Sequence, residues 1–186
     1  MHAKLTELLG NYQSTDSHQQ DYKQKMLEFL HSSINCFSRE NQTGHFTASA
    51  FVINKQGDKF LLMHHAKLDK WLQLGGHCDG DPDILSVAIK EAQEESGCQR
   101  IKPMSTEVFD LDIHYIPATA NIVEHLHYDV RFLLQIDDNS MIKSNKESKD
   151  LRWFSVKDPL PTKSTSILRM KDKWRSNYIA KAVELA

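Results

Sequence analysis

The sequence predicts one mixed α/β domain with accessory helices ahead of it, and three observations carry that expectation. The 186 residues amount to about one domain of roughly 150 residues with an appendage. From Phe46 the apolar pattern changes from helical to strand-like. Strands and a hairpin then alternate with one strongly capped helix, and an amphipathic helix closes the chain. Residues 1–43 are therefore expected to form an N-terminal helical extension and residues 44–186 the main domain.

Composition narrows the function classes. With 40% hydrophobic and 26% charged residues, the chain can build one core without disulfides. A net charge of −2 argues against general nucleic-acid binding, which needs a surplus of Lys and Arg on the phosphates, so any phosphate chemistry has to be local. No apolar run approaches the roughly 18 residues that cross a bilayer, and Met1 to Gly10 lack a signal-peptide core. Cys36, Cys78 and Cys98 form neither an even set nor a C-x-x-C pair. The expectation is a cytoplasmic protein with reduced thiols and no membrane contact.

The elements follow in order. Leu5, Leu8 and Leu9 make one short helical stripe, and Tyr22, Met26, Leu27 and Leu30 make another, with polar Gln13 to Gln20 between them. Phe46 to Asn54 is rich in strand formers, Lys55 to Asp58 reads as a hairpin turn, and Lys59 to His65 returns. In Asp81-Pro82-Asp83, Asp81 can cap a helix whose first position tolerates proline, and Gly97 ends that helix after Ser96. Further strands are expected at Val108 to Ile116, His127 to Ile136 and Leu151 to Phe154, the last after a polar loop from Asp137 to Asp150. Ile167, Met170, Trp174, Tyr178, Ala182 and Leu185 repeat at helical spacing over 166–185.

Chemistry concentrates in the capped helix. Between Gly75 and Gly97 there are six acidic residues, Asp79, Asp81, Asp83, Glu91, Glu94 and Glu95, against one base, Lys90. On a helix Glu91 and Glu95 lie one turn apart with Glu94 beside them, so three carboxylates crowd together unless a cation relieves them. A charge run is usually only a solvated face, but hard oxygen donors on a rigid helix suit magnesium, with manganese as the alternative.

The segment Gly76-His-Cys-Asp-Gly-Asp-Pro-Asp-Ile-Leu-Ser-Val-Ala-Ile-Lys-Glu-Ala-Gln-Glu-Glu-Ser-Gly-Cys98 resembles the Nudix hydrolase signature, G-x5-E-x7-R-E-U-x-E-E-x-G-U with U apolar. Gly76, Glu91, Glu94, Glu95 and Gly97 match it. Pro82 stands where the first glutamate falls, Lys90 replaces the arginine, and small Ala92 and Cys98 hold the U positions. In the family the first glutamate commonly pairs with that arginine, so Asp81 and Lys90 are expected to form a weaker brace, because Lys lacks the guanidinium fork. His64 to His77, Phe109 to His114 and His125 to Phe132 also look like a bacterial Nudix subgroup, which extends the resemblance over most of 36–160.

The resemblance implies a Nudix-type α/β/α sandwich with a mixed sheet, and a metal-dependent hydrolase cleaving a diphosphate bond in a nucleotide derivative or related X-linked nucleoside diphosphate. Glu91 and Glu95, with the Gly75 carbonyl, are then the metal ligands. Glu94 is a shared ligand or the base that activates water. Glu147, just before the Leu151 strand, is the expected distal carboxylate, with Asp137 and Asp138 as competitors. Expected partners are a small phosphorylated substrate and no nucleic acid, with a homodimer left open.

The ten histidines divide the readings. His125-x-His127 puts two imidazoles on one strand face, and with His77 or His114 they can hold a transition metal, as in the isopentenyl diphosphate isomerases of the family. The preferred reading places His77, His114, His125 and His127 in the substrate pocket, contacting phosphates. Isomerisation is the rival activity, although it also requires a cysteine that Cys78 does not match. Trp71 is a base-stacking candidate or a core residue, and Arg131 either pairs with Asp129 or clamps phosphate. Residues 151–186 hold eight basic against three acidic side chains, a surplus that attracts anions or merely solvates a helix. The remaining alternative, a non-catalytic nucleotide-sensing module, would be signalled by loss of the glutamates, and all three are present.

Overall fold

The computed structural model describes residues 2–137 and 141–184, with side chains through residue 178. Two helices, α1 (Ala3–Asn11) and α2 (Ser17–Ser32), precede β1 (Gly44–Asn54) and β2 (Lys59–His65). Short β3 (Lys70–Leu72) and β4 (Leu74–His77) lead into α3 (Ile84–Ser96). Then come β5 (Ile101–Pro103), β6 (Asp110–Ile116), β7 (His125–Ile136), β8 (Ser148–Ser155) and α4 (Thr165–Glu184).

The long central strands order the sheet. β1 runs parallel to β7 over its whole length, from Gly44 opposite Leu126 to Asn54 opposite Ile136. On its other edge β1 pairs antiparallel with β2 at one end and with β4 at the other. β8 extends the β2 side, while β5 and β6 share the outer edge of β7. Because side chains alternate, this register sorts the sheet into two faces. Phe46, Ala48, Ala50 and Val52 join Val130, Phe132 and Leu134 in a core that also holds Leu9, Met26, Leu30, Val87 and Ala92 of the first three helices. Phe51, Ile53, Phe60 and Leu62 pack on the opposite side with Ile167, Met170 and Trp174 of α4. Helices on both faces of a mixed sheet make the expected α/β/α sandwich.

The accessory helices close an edge as well as a face. Gln19 of α2 donates to the Leu111 carbonyl at 2.8 Å and accepts the Leu111 N–H at 2.9 Å, so its amide stands in for a strand partner of β6. The Tyr12 hydroxyl donates to the same amide at 2.8 Å.

Two expectations change here. α3 starts two residues later than the proline suggested, and its cap is Asp83, which accepts the Ser86 N–H, not Asp81. Asp81 instead accepts the Asp83 N–H at 2.8 Å, holding the turn that delivers the cap. Gly97 ends α3 at φ 67° as expected. In α4 the side chains of Ile167, Met170 and Trp174 are buried, while Ala182 and Leu185 lie outside the described side chains.

Candidate active site

β4 lies between β1 and the acidic helix, and its two glycines are what let α3 approach. Gly75 sits at φ 152° opposite Ser49, where an added Cβ would lie 2.5 Å from the Ala48 carbonyl oxygen. An added Cβ on Gly76 would collide with the Glu91 carboxylate. Glu95, 4% exposed, accepts the Gly75 N–H at 2.8 Å. Glu91 and Glu95 are thus seated against one glycine turn, while Glu94 points outward with its side chain 59% exposed and Lys90 at 3.9 Å.

The carboxylates are under electrostatic load. Burial drives Glu95 up to about 8; the Gly75 N–H opposes this, and the charges of Glu91, Glu147 and Glu94 add to it. Burial likewise raises Glu91, with Lys90 opposing and Glu94, Glu147 and Asp79 adding. A divalent cation bound by oxygen donors would relieve both groups, so the residues present fit the magnesium-class ion that the sequence implies.

Glu147 reaches this centre electrostatically, which agrees with its position just before β8. Asp137 does not share that location: it is six residues beyond Arg131 along β7, about 20 Å at strand rise, whereas Arg131 is level with Ser49 and hence with Gly75. Asp138 lies outside the described residues.

The expected brace is absent. Lys90 approaches its neighbour Glu91 at 3.8 Å and Glu94, one helical turn on, at 3.9 Å, both within its own helix. The loop is tied instead by Arg39, whose fork donates to both Asp79 oxygens at 2.5 and 2.6 Å. Arg39 lies ahead of β1, and nothing in its surroundings in the sequence marked it.

Arg131 is not a phosphate clamp. Its side chain is 2% exposed; Nε donates to Asp129 at 2.7 Å, and the two terminal nitrogens donate to Asp110 at 3.2 Å and Asp112 at 3.1 Å. Arg169 of α4 joins from the other side, donating to Asp110 at 2.8 and 3.0 Å. Thr47 and Ser49 complete Asp129. Arg131 and Asp112 of this network line a cavity of about 900 Å³ whose walls also include Trp71, Gln73, His64, His114 and the 161–166 segment leading into α4. Trp71 stacks on His64 and meets Phe154 edge-on, which holds its ring at that wall.

Four further histidines, His45, His77, His125 and His127, gather at the end of the same sheet face. His45, unmarked in the sequence, faces His127 across the β1–β7 register and packs against His77 and His125. Burial lowers His45 to about 4 and His127 to about 2, with neighbouring imidazoles adding to each shift. His114 of β6 lies opposite His127 and meets its ring edge-on at 5.3 Å between centroids, with Asp112 3.2 Å away on its other side.

An oxygen-donor centre on a glycine turn, beside an open cavity in a mixed α/β/α sandwich, defines a scaffold of the Nudix hydrolase class. The chain belongs to that family: the NUDIX domain model matches residues 43–173, more than half of its length. A probable DHNTP pyrophosphohydrolase of Lactococcus lactis is 29% identical over 117 residues, spanning 61% of this chain and 68% of the relative. A NUDIX-family hydrolase of Clostridium perfringens superposes with a TM-score of 0.51 at 25% identity, over 70% of this chain and 96% of that one. An Ap4A hydrolase of C. elegans, 16% identical, shares the fold with a TM-score of 0.57, over 73% of this chain and 98% of that one.

Proposed function

We propose that the chain hydrolyses a diphosphate bond in a nucleotide derivative with the help of magnesium, or manganese in its place. The seating of Glu91 and Glu95 on the Gly75–Gly76 turn carries this reading. Glu91, Glu95 and the Gly75 carbonyl would hold the ion. When bound, it supplies charge neutralisation on the diphosphate oxygens and a more acidic water. The water oxygen attacks phosphorus, the bridging P–O bond breaks, and a carboxylate takes the water's proton. The charges of Glu147 and Glu94 both bear on the two buried glutamates; Glu147 is the proposed base because Glu94 is largely exposed and has Lys90 3.9 Å away. The cavity beside Trp71 is the proposed substrate pocket, and the relative's name makes DHNTP one substrate to try.

The isomerase reading gains nothing from Cys78. That thiol is 3% exposed, and burial pushes it far above the usual range, which suits packing rather than proton transfer. We also propose that residues 1–43 are an accessory layer of the domain and that the setting is cytoplasmic. All three cysteines are free and buried, and among the described residues no helix is long and apolar enough to cross a membrane.

The test is Glu95→Gln. The amide still accepts the Gly75 N–H but loses its charge, so magnesium-dependent phosphate release from DHNTP and other nucleoside diphosphate derivatives should fall about 10²-fold or more, with the fold retained. Near-parental turnover would remove the metal from this helix.

A further inference from the structure

We propose that His45, His77, His127 and His125 form a second metal centre, a closed tetrahedral zinc site that ties β1, β4 and β7 together beside the catalytic turn. It is independent of which diphosphate is cleaved.

The register builds the site. His45 lies opposite His127 in the parallel β1–β7 pair. His77 lies opposite Thr47, two residues along β1 from His45 and therefore on the same face. His125 shares that face with His127. Ring centroids are 4.6 Å apart for His45 and His127, and 5.1 Å apart both for His45 and His77 and for His77 and His127.

One ring nitrogen from each of His45, His77 and His127 lies within 4.8 Å of the other two. Tetrahedral Zn–N bonds of about 2.0 to 2.1 Å set nitrogens about 3.3 Å apart, so a triangle with edges of at most 4.8 Å has to close by no more than about 0.9 Å at each corner. His125 supplies the fourth corner. Its Nε2 stands 3.2 Å from Nε2 of His127, close to the roughly 3.3 Å edge of a tetrahedron with such bonds.

Two hydrogen-bonding facts point to a ligand. His45 is 1% exposed; the Asn41 backbone bears on its ring, but no hydrogen bond of good geometry reaches either nitrogen. Leaving a buried polar group so poorly satisfied is a cost that a bound ion would offset. His125 Nδ1 lies 2.9 Å from the Val123 carbonyl, which can only accept. Nδ1 therefore carries a proton, and in the tautomer with that single proton the Nε2 lone pair faces His127, the arrangement of a metal-bound histidine whose outer partner is a carbonyl.

The donor set separates this centre from the glutamates. Imidazoles favour zinc and neighbouring late metals, whereas carboxylate, carbonyl and water favour magnesium. Four protein ligands leave no open position, so the role is structural. His77 is two residues from Gly75, and an ion on His77 would fix the strand whose N–H holds Glu95.

The experiment uses the full chain, purified without a polyhistidine tag, stripped with a chelator and titrated with zinc or cobalt. The expected result is one zinc per chain, a rise in Tm on zinc addition, and the intense visible bands of tetrahedral cobalt. His45→Asn and His127→Gln should weaken zinc binding beyond the 10- to 100-fold typical of losing an outer partner, while Glu91→Gln and Glu95→Gln leave it unchanged. The cobalt spectrum of the unaltered chain decides the matter even if a histidine variant fails to fold. Weak octahedral bands, no stoichiometric zinc, or zinc lost with the glutamate variants instead would overturn the proposal.

Discussion

The Glu95 carboxylate accepts the Gly75 N–H at 2.8 Å across twenty residues of sequence, and that bond fixes the acidic helix against β4. Both partners depend on the shape of the glycine turn, so the turn is where stability and activity can be separated.

Gly75→Ala should lower stability by about 1 to 3 kcal/mol in denaturant unfolding, because the methyl meets the β1 backbone at a φ that favours glycine. At Gly76 the three atoms nearest an added methyl all belong to the Glu91 side chain, a flexible neighbour rather than backbone. The main effect of Gly76→Ala should be a magnesium requirement raised on the order of tenfold, read from activity against magnesium concentration.

Arg131→Met should cost about 3 to 5 kcal/mol, since Arg169 then remains for Asp110 and Asp112 while buried Asp129 loses its arginine. Arg131→Lys should recover only part of it, because an ammonium cannot serve three carboxylates in a fixed fork. A higher KM with unchanged unfolding would instead make Arg131 a substrate contact.

Asp112 makes stability acid-sensitive. Burial alone would raise it, but the His114 hydrogen bond and the charges of Arg131, His114 and Arg169 bring it down to about 2. The unfolded carboxyl titrates near 3.9, so the contribution is complete above about pH 4 and is lost as the pH falls toward 2. Asp112→Asn should flatten the stability profile over that window, as followed by thermal melts.

Asp83→Ala should cost about 0.5 to 2 kcal/mol as the loss of a helix cap. A double-mutant cycle should show no coupling between Asp81 and Lys90, and no more than about 1 kcal/mol between Arg39 and Asp79, whose side chains are both more than half exposed.

The helices, the β1–β2 hairpin and the main strands were legible because apolar spacing is local information, and the buried positions follow it. Glu91 and Glu95 were legible for the same reason: one helical turn fixes their relation whatever surrounds them. β3, β4 and β5 escaped, since three or four residues, two of them glycine in β4, carry too short a pattern. Choosing Asp83 over Asp81 as the cap depended on the turn before α3, where Asp81 is already engaged by the Asp83 N–H.

By itself the sequence determined the α/β class, the acidic helix and the side chains that pattern places one turn or one strand step apart. The tertiary structure alone decided what meets across the sheet. The parallel β1–β7 register joins residues some eighty positions apart, bringing His45 onto His127 and Asp129 onto Thr47. No local periodicity encodes that pairing, because it comes from closing one sheet around the whole chain. The same closure buries Arg131 among three carboxylates and gathers four imidazoles beside the Gly75–Gly76 turn.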